Sequence, residues 1–164
     1  MNPRPRRKLT RRLAATALLA FALAGCGGGD GLSLEGTIQA EVVVSSFSGT
    51  AHPLSIYLPP ASAGARGSLP VVYVLDGESW FETLVGIAES TRTRVIIVGI
   101  HGSGQRNRDF VPPNSCTPNG GGHAAYFGFI RQELIPHIEG TIGGDPGQRA
   151  LFGHSHGGAF VLYA

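Results

Sequence analysis

Hydrophobic and polar positions change rhythm partway along the chain. Early on the period is two. "TIQAEVVVSSF" from Thr37 to Phe47 is rich in β-branched residues, and "LSIYLP" from Leu54 to Pro59 alternates. Both predict half-buried strands, joined as an antiparallel hairpin or meander at a sheet edge. Pro59, Pro60 and "ASAGARGS" form a turn-rich connector. The alternation then gives way to continuous apolar runs. "PVVYVLD" from Pro70 to Asp76 and "RVIIVGI" from Arg94 to Ile100 are apolar on both faces, as strands buried between helices are. Between them Ser79 to Ser90 has helical length. A loop rich in Gly, Pro and Asn runs from His101 to Gly122, after which Phe127, Ile130, Leu134 and Ile138 recur at spacings of three and four. That spacing marks one apolar helix face, and Pro136 is placed to kink or locally break the helix near its end. "RALFG" reads as a short buried strand and "HGGAFVLYA" as the opening of a helix. Strand and helix therefore alternate, without an internal repeat, which predicts an α/β fold with a mostly parallel sheet covered by helices on both faces.

Composition narrows this picture. A chain of 164 residues, 42% hydrophobic and 15% charged, is one globular domain. The net charge of +2 conceals a division, because Arg4, Arg6, Arg7, Lys8, Arg11 and Arg12 supply six of the 13 basic residues. The remainder carries about −4, so a nucleic-acid partner has no electrostatic support. The six charges precede the apolar run Leu13 to Gly25, the n- and h-regions of an export signal, and that run is too short to span a bilayer. Leu23-Ala24-Gly25-Cys26 resembles the lipobox of bacterial lipoproteins. It implies a signal peptide at 1–25, a lipid on Cys26, a flexible tether over 26–36 and a folded domain over 37–164, anchored in the cell envelope on the periplasmic or outer face. An ordinary cleaved signal with an incidental cysteine is the competing account. "TRRLAA" leaves a twin-arginine route open beside the general one. With Cys26 lipidated, Cys116 has no intramolecular partner and reads as an exposed loop thiol.

The chemistry is concentrated at the end of the sequence. Gly153-His154-Ser155-His156-Gly157 spells G-x-S-x-G, weak alone but stronger between a strand and a helix. There the serine occupies a tight, strained turn that pushes Oγ clear of the sheet. Acyl transfer needs two N–H donors for the developing oxyanion, one of them from the residue after the nucleophile. That residue is His156, acting through its backbone. The second donor belongs to the loop after the third strand. Counting strands from Thr37, Leu54 and Val71 assigns it to the backbone N–H of Glu78, with the glycine-rich "HGSG" at His101 to Gly104 as the alternative.

"VVYVLDGESWF", "VIIVGI" followed by "RNRDFVPP", "FIRQELIPHIE" and "RALFGHSHGGAFVLY" resemble, in order and spacing, the esterase D-like α/β-hydrolases. This group includes siderophore (enterochelin) esterases, feruloyl esterases and mycolyltransferases. The resemblance runs from about Pro70 to Ala164. It implies an α/β-hydrolase fold and a small-molecule ester substrate, with Ser155 as nucleophile, Glu78 and His156 as backbone donors, and no cofactor. It also makes Arg106, Arg108 and Asp109 candidate substrate contacts, against the alternative of a solvated loop with a local Arg–Asp pair.

In this fold the acid and the histidine base follow the serine along the chain. Here nothing after Ser155 is acidic and the only later histidine is His156. Upstream, His101, His123 and His137 are the alternatives. His101 is the best placed of them, at the C-terminal end of a parallel strand expected beside the nucleophile strand, although a loop histidine without a catalytic role is the preferred account. His154 and His156 lack a third partner for a metal, and none is expected. The chain is therefore expected to be the N-terminal part of a longer esterase, incomplete at its C-terminus and inactive as a 164-residue species. A catalytically dead lipoprotein using the scaffold for binding is the alternative. Nothing in the sequence specifies an oligomeric state.

Overall fold

The computed structural model describes residues 34–60, 66–102, 104–113 and 119–164. The expected signal peptide, Cys26, most of the tether and Cys116 lie outside the described residues. The two period-two segments form β1 (Thr37–Val44) and β2 (Ala51–Leu58), paired antiparallel from Thr37 opposite Leu58 to Val44 opposite Ala51. The two continuous apolar runs form β3 (Val71–Leu75) and β4 (Ile96–Ile100), and "RALF" forms β5 (Arg149–Phe152). The strand order is β1-β2-β4-β3-β5. β4 lies antiparallel to β2, whereas β3 is parallel to both β4 and β5. The sheet is thus an antiparallel edge joined to a parallel core.

This order corrects one expectation. The strand leading to His101 is not beside the nucleophile strand, because β3 lies between β4 and β5. Sequence shows how many strands there are, but the side on which each crossover lands is a tertiary matter.

Helix α1 (Gly77–Thr91) connects β3 to β4. The expected loop from His101 to Gly122 contains a short helix, α2 (Arg106–Phe110), which five mostly polar residues give no periodicity to announce. The long helical segment is α3 (His123–Phe129), a π-helical turn (Ile130–Leu134) and α4 (Ile135–Thr141). Pro136 lacks an N–H and its ring crowds the Gln132 carbonyl four residues back. The helix answers by widening: the Ile135 N–H reaches the Ile130 carbonyl, five residues back, and the helix continues without a break.

Alternation within the central strands supplies two cores. Val71, Tyr73, Leu75, Ile96, Val98 and Ile100 face Phe129, Leu134, Ile138 and Phe160 of the helices on one side. Val74 and Ile97 face Phe81, Val85 and Ala88 of α1 on the other. α1 sits close against β4 because two glycines allow it. A methyl on Gly77 would come 2.8 Å from the Gly99 carbonyl carbon, and one on Gly99 would come 2.9 Å from the Phe81 ring. Helix α5 (His156–Tyr163) follows β5 through a three-residue turn.

Candidate active site

Two helix N-termini open at one end of the parallel core. β3 and β5 are neighbours in parallel register, with Val74 opposite Phe152. α1 starts after Asp76 and α5 after Ser155, so both first turns stand at the C-terminal edge of adjacent strands. The first backbone N–H groups of a helix have no intrahelical acceptor and carry the positive end of its dipole. Glu78 is the second residue of α1 and His156 the first of α5, which places both expected donors among these N–H groups.

Ser155 has φ 57° and ψ −119°, a conformation that costs a non-glycine residue about 1–3 kcal/mol and persists only where its surroundings enforce it. The enforcing contact is glycine against glycine. A methyl on Gly153 would collide with the backbone of Gly157, and one on Gly158 would come 3.2 Å from the Gly153 carbonyl oxygen. The Gly157 N–H closes the turn on the His154 carbonyl at 3.0 Å. Strand, strained serine, glycine contact and helix follow the sequence expectation for the motif in local backbone shape.

Around the turn the side chains form a braced shell. Asp76, buried and left-handed at φ 51°, accepts the Arg106 Nε–H on both carboxylate oxygens, at 2.8 and 3.0 Å. Arg106 Nη2 donates to the His154 carbonyl at 3.1 Å, and Nη1 lies 3.1 Å from His156 Nδ1. A guanidinium only donates, so His156 Nδ1 is the acceptor in this contact. On the opposite side Trp80 of α1 packs against Phe152 and the His154 ring, with centroids 5.7 and 4.9 Å away. The Glu78 carboxylate accepts the Gly102 N–H at 2.9 Å, tying the loop after β4 to the start of α1.

The expected contacts on α2 divide. Arg108 and Asp109 pair at 2.7 Å, and Asp109 is buried with its carboxylate turned to that guanidinium. Arg106 and Arg108 line a cleft of about 520 Å³ with Gly104, Gln105, Asn107 and Asn119. Sequence reasoning passed over Asp76 and Trp80 as side chains. Their only signal was their place in "LDGESWF" beside the assigned donor.

All six histidines of the sequence are described, and none is hydrogen-bonded to Ser155. His52 is buried, its Nε2 shared between the Ser48 and Thr50 hydroxyls at 2.7 and 3.0 Å. His101 Nε2 bonds to Ser55 Oγ at 2.8 Å, and His137 Nε2 to Glu41 at 2.9 Å. His123 packs on Phe160, and burial lowers its pKa. His154 lies against Trp80 and His156 against Arg106. Among the described residues no cluster of three metal-ligating side chains is present.

A mixed sheet with helices on both faces and a strained serine between β5 and α5 is the arrangement of the α/β-hydrolase fold. The IroE-like serine hydrolase from Shewanella oneidensis superposes with a TM-score of 0.69 at 30% identity, over 78% of this chain and 46% of that one. Residues 45–164 match the family model described as "Putative esterase", and the chain belongs to that esterase family. It is 33% identical over 129 residues to the ferri-bacillibactin esterase BesA of Bacillus subtilis (strain 168), covering 63% of this chain and 43% of the relative. It is 28% identical over 115 residues to the siderophore triacetylfusarinine C esterase of Aspergillus fumigatus, covering 60% and 39%. The chain thus spans less than half the length of each of these proteins.

Proposed function

We propose that the whole protein hydrolyses carboxylic esters through Ser155. The observation that carries this reading is the Ser155 backbone, held at φ 57° at the head of α5 and beside the first turn of α1. Ser155 Oγ attacks the ester carbonyl carbon, and the carbonyl oxygen takes the charge while accepting the Glu78 and His156 backbone N–H groups. Collapse of the tetrahedral intermediate breaks the ester C–O bond and releases the alcohol, protonated by the general acid. Water then attacks the acyl-enzyme and restores the serine. None of the described histidines is the base for this step, since each is engaged elsewhere.

The substrate class is a siderophore ester. Two relatives are named for such substrates, and the cleft beside α2 is lined with amide and guanidinium groups suited to oxygen-rich ligands. Arg108 is the contact this cleft offers, and the buried Asp109 orients it. The test is turnover of p-nitrophenyl acetate and of a siderophore trilactone by the intact protein. Ser155→Ala lowers both by about a thousandfold or more. Turnover undiminished by that change refutes the nucleophile, whereas hydrolysis of the simple ester alone refutes the substrate class.

The protein is exported and held in the envelope by lipid on Cys26, a proposal supported by the charge, apolar length and box of residues 4–26. Metabolic labelling with a fatty acid marks the wild type and not Cys26→Ala. Equal labelling of both excludes this anchor.

A further inference from the structure

We infer that Arg106 is a positioning residue whose task is to hold the Asp76 carboxylate off the oxyanion donor of Glu78. The inference rests on the ester-hydrolase reading above and adds a residue and a role to it.

Asp76 is the N-cap of α1. A carboxylate on an N-cap residue of extended backbone accepts the N–H of the second or third helical residue, here Glu78 or Ser79, whereas Asp76 is left-handed at φ 51° and ψ 50°. The Ser79 N–H is already bonded to the Asp76 carbonyl at 2.8 Å, so the group left for the carboxylate to cap is the Glu78 N–H, the assigned donor. The Asp76 side chain makes no capping bond, its left-handed backbone starting it away from the helix amides. Both of its oxygens are turned to Arg106 Nε instead.

The carboxylate also stands near the other donor. A methyl built on Gly157, in the first turn of α5, would lie 3.4 Å from Asp76 Oδ2. A negative charge there sits between two helix N-termini that attract anions, where it competes with the oxyanion for the same donors. Arg106 resolves the competition by neutralising the charge and fixing its direction. Its position is set independently by the His154 carbonyl and His156 Nδ1 on the serine turn, so the guanidinium cannot follow a carboxylate swinging toward α1. The side chain is 36% exposed against 7% for Asp76, leaving the aspartate as the buried partner that needs the pairing.

A purely structural ion pair and this role differ in what removal of the second partner does. In the intact protein Arg106→Met frees the carboxylate to cap Glu78. It lowers kcat about 100-fold, the order of one lost oxyanion donor, with KM within about twofold of wild type. Adding Asp76→Gly removes the competing anion while tolerating the left-handed backbone, and R106M/D76G recovers at least about tenfold of that loss. Arg106→Lys keeps a cation on the carboxylate and falls between wild type and R106M. If R106M does not fold by thermal melting, R106K against R106K/D76G gives the same comparison. A double variant no faster than its single parent overturns the inference. So does an Arg106 effect confined to KM, which would make it a substrate contact. Ser155→Ala in the same assay separates the two levels. Its full activity refutes the nucleophile reading, while an inactive S155A beside an unrescued double variant refutes only the role of Arg106.

Discussion

Ser155 and His52 show how single residues store cost in this fold. At Ser155 the cost is backbone strain, enforced by the glycine contact at the turn between β5 and α5. At His52 it is burial. The imidazole is stacked on Phe129 with centroids 4.1 Å apart, and its Nδ1 has no partner. Burial drives its pKa below the ordinary 6.5, outweighing the nearby Asp109 charge. The unfolded chain therefore binds a proton on this ring at a higher pH than the folded one. The stability it contributes is complete above pH 6.5 and is lost as pH falls below that value toward the folded pKa. His123 is shifted in the same direction by burial. His52→Phe keeps the ring stack and leaves the Ser48 and Thr50 hydroxyls to each other, already 2.8 Å apart. Thermal melts between pH 7.5 and pH 5 should accordingly flatten in that variant, with a residual slope from His123. An unchanged slope would show that His52 is not the titrating group.

At the scale of elements the site is made by junctions. β3 runs into α1 through the single residue Asp76, and β5 runs into α5 through Gly153, His154 and Ser155. The second junction depends on Gly153, where any side chain meets the backbone of Gly157. Gly153→Ala must open the turn, at a stability cost of about 1–3 kcal/mol. Displacing Ser155 should lower kcat beyond what that loss explains. Denaturant unfolding together with kcat at a temperature where both proteins are fully folded checks this. A destabilised variant with wild-type kcat would show that the glycine contact serves folding alone. These junctions were legible in sequence because each joins a short strand-forming segment to a helical one through glycine: "VVYVLDG" and "RALFGHSHGG". The α2 helix was not, since "RNRDF" is shorter than two turns and carries no apolar period. Neither was the π-helical turn, because Pro136 signals a disturbed ladder without saying whether the helix breaks or widens.

At the scale of the molecule, what sequence leaves open is which elements become neighbours. The strand count assigned the second donor to Glu78, which falls in the first turn of α1, while the order β4-β3-β5 separates His101 from the serine strand. The bond from Arg106 to Asp76 spans 30 residues and exists because α2 folds back over the end of β3. No local pattern encodes that return. The continuous apolar runs do account for the two cores, since alternate residues of β3 and β4 face helices on each side of the sheet. The parallel core and its two helix N-termini form the scaffold, and the loop carrying α2 supplies the brace and the cleft.

The central claim is that Ser155 is a nucleophile. Its most direct test is to treat the intact protein with a fluorophosphonate and locate the adduct by peptide mass spectrometry. A single phosphonyl group on the peptide containing Ser155, absent from Ser155→Ala, is the predicted result. An intact protein that hydrolyses esters while its Ser155 peptide stays unmodified, or one labelled equally in Ser155→Ala, would contradict it.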